Sequence, residues 1–282
     1  MASTTAAFSW KTLNPLAAKE LSDARLQFHY AAQFATALGI SYLTPRADDS
    51  HTNLGWDPRH EALRSREVRA LSHAIRVAVR PRDLTLLVLL DGTVGQRISL
   101  HGLTIRETET TLRAALASAG VDSRRLTLRR HYQLPPHPVA GGNAFDATRT
   151  EDFGELSHWF GNSAAVLTEL RSRTGSSEVR CWPHHFDIAT LATIAPDVTC
   201  GAGMSPGDET YPEPYFYVSA RPLLRADRLT ASLDGAGEWH AGDWTGAILT
   251  ASRLTDHAEG QATQVTAFLN SAVEACTQLL RD

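Results

Sequence analysis

Residues 84–100 read LTLLVLLDGTVGQRISL, and this stretch is the strongest indicator of the fold class. A continuous apolar run ends at Asp91-Gly92, a dipeptide typical of tight hairpin turns, and a second strand-like segment follows it. Just upstream, residues 75–79 alternate between apolar and other side chains, which indicates a further strand. Because no helix intervenes between these three strands, antiparallel pairing is predicted.

Outside this stretch, four segments have apolar residues at helical spacing, and they predict helices at about residues 14–38, 105–119, 150–170 and 256–280. Thr104 and Glu107 have capping-box spacing at the start of the second helix. Further strands are predicted at about residues 125–129, 177–193, 214–221 and 244–252. The sequence therefore predicts an α+β fold of mainly antiparallel sheets with packed helices.

Residues 134–149 predict an internal boundary. They begin LPPHPVAGGN, in which the prolines remove backbone donors and the glycines favour irregular structure. We therefore expect an N-terminal α+β half over 1–133 and a C-terminal α+β half over 150–282. Both follow the order helix, strands, helix, but no residue-level repeat relates them. Two similar halves forming one compact unit and an ordinary α+β fold both stay open.

Composition excludes several classes of protein. The 282 residues are 43% hydrophobic, and 27 basic against 31 acidic side chains leave a formal charge of -4. No run of like charge favours nucleic acid or an anionic membrane, and no stretch reaches the roughly 20 apolar residues of a membrane helix. The first residues lack the pattern of a signal peptide, and the three cysteines have no metal-binding spacing. A cytoplasmic location is expected.

The motif that offers most candidates for catalysis or metal binding is WPHHFDIA, residues 182–189, which contains two imidazoles and a carboxylate. The segment has the composition of a buried strand, on which alternate side chains share a face. His185 and Asp187 would then lie together, while His184 would point to the other side. A His-x-Asp pair can ligate a metal, or it can form a base with its orienting carboxylate. The alternative is a structural His–Asp hydrogen bond at a sheet edge.

A Gly- and Pro-rich acidic loop follows, over residues 201–214, and it contains Asp208, Glu209 and Glu213. Carboxylates that are grouped with an imidazole suit a divalent metal ion or a cationic part of a substrate. We therefore predict His185, Asp187, Glu209 and Glu213 as metal ligands. The alternative is a solvated turn-rich loop with no ligand.

The same loop contains a misleading hydrolase pattern. Residues 203–207 read GMSPG, which matches Gly-x-Ser-x-Gly. In a nucleophile elbow the residue after the serine donates its backbone N–H to the oxyanion. Here that residue is Pro206, which has no N–H. A serine hydrolase is therefore not expected.

Other residues could complete a site. His51 and His240 lie in turn-rich segments near Trp56 and Trp239, so we predict them, with Asp208, as catalytic acid/base groups. Each histidine could equally be an ordinary loop residue. Aromatic and imidazole side chains often line ligand pockets, which predicts a ligand-binding set of His184, Tyr215, Tyr217 and Trp56.

The chain resembles a group of uncharacterised bacterial proteins, a domain family of unknown function. The resemblance is carried by WPHHFDIATL at 182–191, SPGDETYPEPYFYV at 205–218 and SHTNLGW at 50–56, and it covers nearly the whole chain. A wider set of domains is more distantly similar, and its matching strand reads Phe-Trp-Gly-Ser-Phe-Asp-Leu-Ala. There Phe186 and Asp187 are matched, whereas His184 and His185 are not. The resemblance implies a bacterial cytosolic protein and no particular activity.

Three interpretations follow. The first is a His/carboxylate cleft that acts on or binds a small molecule. A metal-assisted reaction is the most specific version of this interpretation. The second is a non-catalytic ligand-binding or protein-interaction module that uses the aromatic strand 214–218, which would favour a homo-oligomer or another partner. The third is a structural subunit whose His and Asp residues only cross-link sheets.

Overall fold

The computed structural model describes residues 9–15, 18–70 and 73–281, apart from the side chain of Lys19. Within these ranges the chain forms four α-helices and two antiparallel sheets of six strands each. The helices are α1 Ser22–Tyr42, α2 Ile105–Ser118, α3 Thr150–Thr174 and α4 Ala258–Arg281. The α+β prediction with mainly antiparallel sheets is therefore confirmed.

The first sheet is built around the hairpin that was predicted at residues 84–100. Its strands are β1 Gly55–Asp57, β2 Ala62–Arg64, β3 Val68–Ala70, β4 His73–Arg80, β5 Thr85–Leu90 and β6 Thr93–Ser99. They pair in the order β1-β2-β4-β5-β6, and β3 also pairs with β4. Asp91 and Gly92 both have positive φ, as a tight type I′ hairpin turn requires. The predicted hairpin turn at Asp91-Gly92 is therefore confirmed.

The second sheet lies entirely after residue 179. Its strands are β7 Arg180–Trp182, β8 Asp187–Ala195, β9 Val198–Ser205, β10 Tyr215–Arg221, β11 Glu238–Ala241 and β12 Thr245–Thr250. Their order, β11-β12-β10-β9-β8-β7, differs from that of the first sheet. One face packs against α3 and α4 through buried residues such as Phe216 and Met204. The opposite face carries the polar groups described below.

One hydrophobic core runs through both predicted halves. It joins α1 and the first sheet to α3, α4 and the second sheet, and its largest members include Phe28, Phe160 and Phe216. The edges of the two sheets are also linked directly, because Leu54 and Cys181 exchange backbone hydrogen bonds of 2.9 and 2.8 Å. The residues before and after the Pro-rich segment 134–149 therefore pack into the same core. No helix in the described ranges has the length and apolarity needed to cross a membrane.

Outside the WPHHFDIA segment, two predicted elements differ from the structure. The first helix was expected from residue 14, but α1 begins at Ser22 after a short 3-10 turn. Gln261 holds the preceding segment, since its side chain accepts the Leu13 N–H and donates to the Leu13 carbonyl. The strand predicted at 125–129 does not form either. The Thr127 N–H donates to the Ser41 side chain, 2.8 Å away, instead of to a neighbouring strand.

Candidate functional site

The WPHHFDIA segment is a hairpin, not one continuous strand. β7 ends at Trp182 and β8 begins at Asp187, and residues 183–186 form the turn between them. The turn is closed by the Phe186 N–H, which donates to the Trp182 carbonyl over 2.6 Å. The prediction that His184 and His185 alternate on a strand is therefore wrong. Both lie in the turn, with ring centroids 4.3 Å apart.

Phe186 fixes the shape of this turn. Its φ of 63° is left-handed, a conformation that costs an L-residue roughly 1–2 kcal/mol. The ring is 2% exposed, stacks on His29 with centroids 4.3 Å apart, and meets Phe28 and Phe160 edge-on or tilted. Burial of a Phe side chain contributes about 1.5–3 kcal/mol, which offsets the backbone cost. The core therefore determines how the two histidines of the turn are presented.

A polar stripe on α1 faces the hairpin. Arg25, His29 and Gln33 are spaced four residues apart and so lie on one side of the helix. The Nε2 of His29 donates to the Pro183 carbonyl at 2.8 Å, and the Nε2 of Gln33 donates to the same oxygen at 3.2 Å. Our sequence reasoning missed these residues. The sequence did contain a pattern that could have identified them: three polar residues at positions i, i+4 and i+8 of a predicted helix that is otherwise rich in Ala, Phe and Leu.

His29 is neutral in this environment. Burial lowers the pKa of its imidazole to about 4, and the positive charges of Arg25 and Arg130 act in the same direction. Because Nε2 must carry the proton that it donates to Pro183, Nδ1 is the unprotonated nitrogen. His29 thus holds the hairpin as a neutral donor and adds no charge to the site.

Asp187 is the central carboxyl group. Its Oδ2 accepts a hydrogen bond from the Tyr217 hydroxyl, while its Oδ1 is buried without a hydrogen-bond partner among the described residues. Burial raises the pKa of Asp187, opposed by the Tyr217 hydrogen bond and by the charge of His185. Tyr217 reaches across Gly203 of β9, where a Cβ would lie 2.6 Å from the ring. Gly203 is therefore needed for this contact.

The acidic loop is organised by Asp208. Its Oδ1 accepts the N–H groups of Thr210 and Tyr211, both at 2.8 Å, and its Oδ2 accepts the Tyr215 hydroxyl at 2.6 Å. Burial and the hydrogen bond to Asp208 raise the pKa of Tyr215. Arg25 lies over the same loop, with Nη1 2.9 Å from the position of a Cβ on Gly207. Asp208 therefore ties the loop to β10, and Arg25 of α1 lies beside the loop at Gly207.

The predicted metal ligands do not form a coordination site. Glu213 is buried and accepts the Ser252 N–H at 2.6 Å and its hydroxyl at 3.0 Å. Glu209 is exposed, and one oxygen of Asp187, Oδ2, accepts the Tyr217 hydroxyl. Across the described ranges, no group of three or more His, Cys, Asp or Glu side chains is arranged to hold a metal ion. The structure thus does not bring His185, Asp187, Glu209 and Glu213 together as one ligand set, and their role as metal ligands stays a prediction.

His240 belongs to the loop network. Its Nδ1 accepts the Tyr211 hydroxyl at 2.7 Å, and its ring stacks on Trp244 with centroids 4.5 Å apart. Tyr211 in turn lies against Tyr215, the residue that donates to Asp208, with tilted rings whose centroids are 5.0 Å apart. The structure thus links His240 to Asp208 through two tyrosines.

His51 and Trp56 lie elsewhere. The Nδ1 of His51 accepts the Arg46 N–H at 3.2 Å within the loop that follows α1, and the ring lines a separate cavity. Trp56 stacks on Phe160, with centroids 6.4 Å apart, and lies against Gly161. Trp56 is therefore part of the packing around α3. Neither residue joins the hairpin contacts described above.

A groove runs beside the turn histidines. It has a volume of about 430 Å³ and is lined partly by Tyr30, Arg130 and Tyr132. The Tyr132 hydroxyl donates to Gln33 at 2.8 Å, and its ring is 5.8 Å from that of His184. We use the name hairpin cleft for the polar residues around the turn, of which Arg130 and Tyr132 line the groove: Arg25, His29, Gln33, Arg130, Tyr132, His184, His185, Asp187 and Tyr217.

The strand predicted as an aromatic contact surface is largely covered. Tyr215 is 7% exposed and Phe216 is fully buried in the core, while Tyr217 is half-buried and bonded to Asp187. Among the described residues, the large hydrophobic side chains that are exposed are Leu191 and Leu223, neither of which lies on this strand. Tyr215 and Tyr217 thus serve the polar network and do not form an open aromatic face.

No protein-family model matches this chain, and comparison with curated proteins and with solved structures found no similar protein. The resemblance inferred from the sequence motifs therefore stays a prediction. Function has to be argued from the geometry of the hairpin cleft.

Proposed function

We propose that this protein binds a small polar molecule in the hairpin cleft, and that Asp187 donates or accepts a proton there. The observation that carries the proposal is the Oδ1 of Asp187, which is buried and unpartnered while Oδ2 is held by Tyr217. Buried polar atoms in native proteins are nearly always paired with protein or water, so this carboxyl oxygen is a place where a ligand group or a water can bind.

Unpartnered cationic groups in the same region support the proposal. The Nε and Nη1 of Arg25 and the Nε of Arg130 are buried without hydrogen-bond partners among the described residues. Both guanidinium groups are close enough to His29 to lower its pKa. A guanidinium with free N–H groups binds carboxylate or phosphate oxygens well. The bound molecule is therefore expected to carry an anionic or strongly accepting group.

The chemistry open to Asp187 follows from its environment. A carboxyl group whose pKa is raised by burial holds a proton at higher pH than a solvated carboxyl does, which suits it to general acid catalysis. Tyr217 orients the group, and the exposed His185 lies two residues before it in the turn. This arrangement supports proton transfer with a bound small molecule and requires no metal.

The test is ligand-observed NMR with a library of small carboxylic acids, phosphates and neutral polar compounds. Asp187→Asn keeps the shape of the side chain and removes its titration. Its matched control is Asp197→Asn, in the exposed turn between β8 and β9, where a positive φ tolerates asparagine. We expect at least one compound to bind the wild-type protein and the control, and to bind Asp187→Asn about tenfold more weakly. Equal binding by all three proteins would refute the role of Asp187.

A further inference from the structure

A second cavity lies at the C-terminal end of α1. It has a volume of about 250 Å³ and is lined by Leu43, Thr44, Arg46, Ser50, His51 and Arg66, a set that we call the basic pocket. Within the described part of the chain, its lining contains no Asp or Glu side chain. This pocket is positive although the chain as a whole has a formal charge of -4.

The walls of the basic pocket are held in place by the fold. Gly39 allows the loop to approach α1 closely, because a Cβ there would lie 2.2 Å from the His51 carbonyl oxygen. From the other side, the Nε of Arg66 donates to the Ser50 carbonyl at 3.2 Å and to the Asn53 side chain at 3.1 Å. A pocket that is already ordered loses little conformational entropy when a ligand binds.

The donors of the pocket are defined by its hydrogen bonds. The Nδ1 of His51 accepts the Arg46 N–H, so Nε2 is protonated and acts as a donor. The guanidinium of Arg46 makes one long contact, 3.5 Å from its Nη1 to the Ser50 hydroxyl. Its other N–H groups make no hydrogen bond to the described residues, so they can donate to a ligand. The imidazole and the guanidinium together offer donors to an oxyanion.

The region around Arg66 carries more positive than negative charge. Glu178 accepts hydrogen bonds from Arg66 at 3.4 Å and from Arg180 at 2.5 Å. Burial lowers the pKa of Arg66, and the charges of Arg180 and Arg46 lower it further. Counting Asp48, whose carboxylate interacts with Arg46, two carboxylates thus face three guanidinium groups. The partial negative charge at the end of α1, roughly half a unit, does not cancel this surplus.

We propose that the basic pocket binds a small organic anion with a phosphate or carboxylate group. The oxyanion takes the donors of Arg46 and His51, and its charge offsets the repulsion among the three arginines. Leu43 provides an apolar wall for the rest of the molecule. The cavity volume is several times the roughly 30 Å³ that one water occupies, which allows more than a bare inorganic ion. This site is independent of the hairpin cleft.

The experiment titrates the protein with phenyl phosphate, benzoate and uncharged phenol at constant ionic strength. Backbone amide NMR signals of residues 44–51 report binding. Saturable shifts with phenyl phosphate or benzoate, but not with phenol, support the proposal, and the stronger of the two identifies the preferred oxyanion. If neither anion causes saturable shifts at concentrations up to about 10 mM, the proposal is wrong.

Variants locate the binding. Arg46 is exposed, so Arg46→Gln should fold, which circular dichroism checks. We expect Arg46→Gln and His51→Gln each to raise the Kd about tenfold, the typical effect of losing a charge-assisted hydrogen bond. Arg97→Gln, an exposed arginine on β6, is the matched control and should change the Kd less than twofold. Equal effects of Arg46→Gln and Arg97→Gln would show that only the overall charge matters and would overturn the proposal.

Discussion

Tyr217 on β10 donates its hydroxyl hydrogen bond to Asp187 on β8, across Gly203 of the strand between them. Tyr217 is paired with Gly203, which is paired in turn with Ala189, two residues beyond Asp187 on the same face. The phenol therefore slants over the glycine to reach the carboxylate. This contact joins two strands that do not pair with each other and places the unpartnered oxygen of Asp187.

Gly203→Ala should break this contact. The added Cβ would lie 2.6 Å from the Tyr217 ring, so the ring must move away from Asp187. We expect the free energy of unfolding to fall by about 1–3 kcal/mol, as is typical of overpacking. Gly201→Ala is the matched control, because its Cβ would meet neighbours at an ordinary 3.5 Å. Urea unfolding measures both. In a Tyr217→Ala background, Gly203→Ala should cost much less, and an unchanged cost would exclude the clash.

Asp187 should make stability depend on pH. Its pKa is raised by burial, so in the interval between the unfolded pKa of about 3.9 and the higher folded value the folded state binds more protons. Its contribution to stability is therefore present at low pH and is lost as the pH rises through the folded pKa. Asp187→Asn removes this loss.

The measurement is urea unfolding of wild-type and Asp187→Asn proteins from about pH 4 to about pH 8. The difference in unfolding free energy should shift in favour of the variant as the pH rises. Asp197→Asn, at an exposed position, serves as the control. A difference that stays constant with pH would mean that Asp187 ionises as it does in the unfolded chain.

His29 should make stability depend on pH with the opposite sign to Asp187. Its pKa is about 4 in the folded protein, against about 6.5 when unfolded. Between these values the unfolded state binds more protons, so stability rises with pH in this window and is lost as the pH falls toward 4. Replacing His29 with glutamine keeps a donor for the Pro183 carbonyl and should flatten the slope in this window. NMR titration of the imidazole provides a direct check, and a midpoint near 6.5 would contradict the prediction.

Substitutions of Glu213 and Glu209 should have very different effects on stability, although both residues lie in the same loop. Glu213 accepts two hydrogen bonds from Ser252 and is buried, so Glu213→Ala leaves the Ser252 N–H without its partner. We expect a loss of about 1–3 kcal/mol in unfolding free energy. Glu209 is exposed, and Glu209→Ala should change stability by less than about 0.5 kcal/mol. Equal effects of the two substitutions on thermal unfolding would argue against a structural role for Glu213.

Local signals predicted the elements whose geometry is set within a few residues. The turn at Asp91-Gly92 and the capping box of Thr104 and Glu107 formed as expected. Both depend on neighbouring backbone groups, and the same side chains produce them in many contexts. The apolar spacing of α4 was equally informative, because one face of a helix must be buried.

The candidate site depended on residues far apart in the chain. The acidic loop and Asp187 were identified from composition, but the turn at 183–186 was read as strand because its conformation is imposed by Phe186 packing against His29. The role of Glu213 likewise came from Ser252, 39 positions away. Alternation and spacing show which side chains share a face of one helix or strand. They carry no information about which element will pack against it.

The amino-acid pattern alone therefore specified an α+β fold with antiparallel hairpins, since hydrophobic periodicity and turn chemistry act over short distances. The placement of Arg25, His29 and Gln33 against the hairpin, and the pairing of Tyr217 with Asp187, arose only when the core brought α1 and the second sheet together. Close packing leaves few arrangements of buried side chains, so burial and hydrogen-bond satisfaction selected these contacts from many that the sequence would permit.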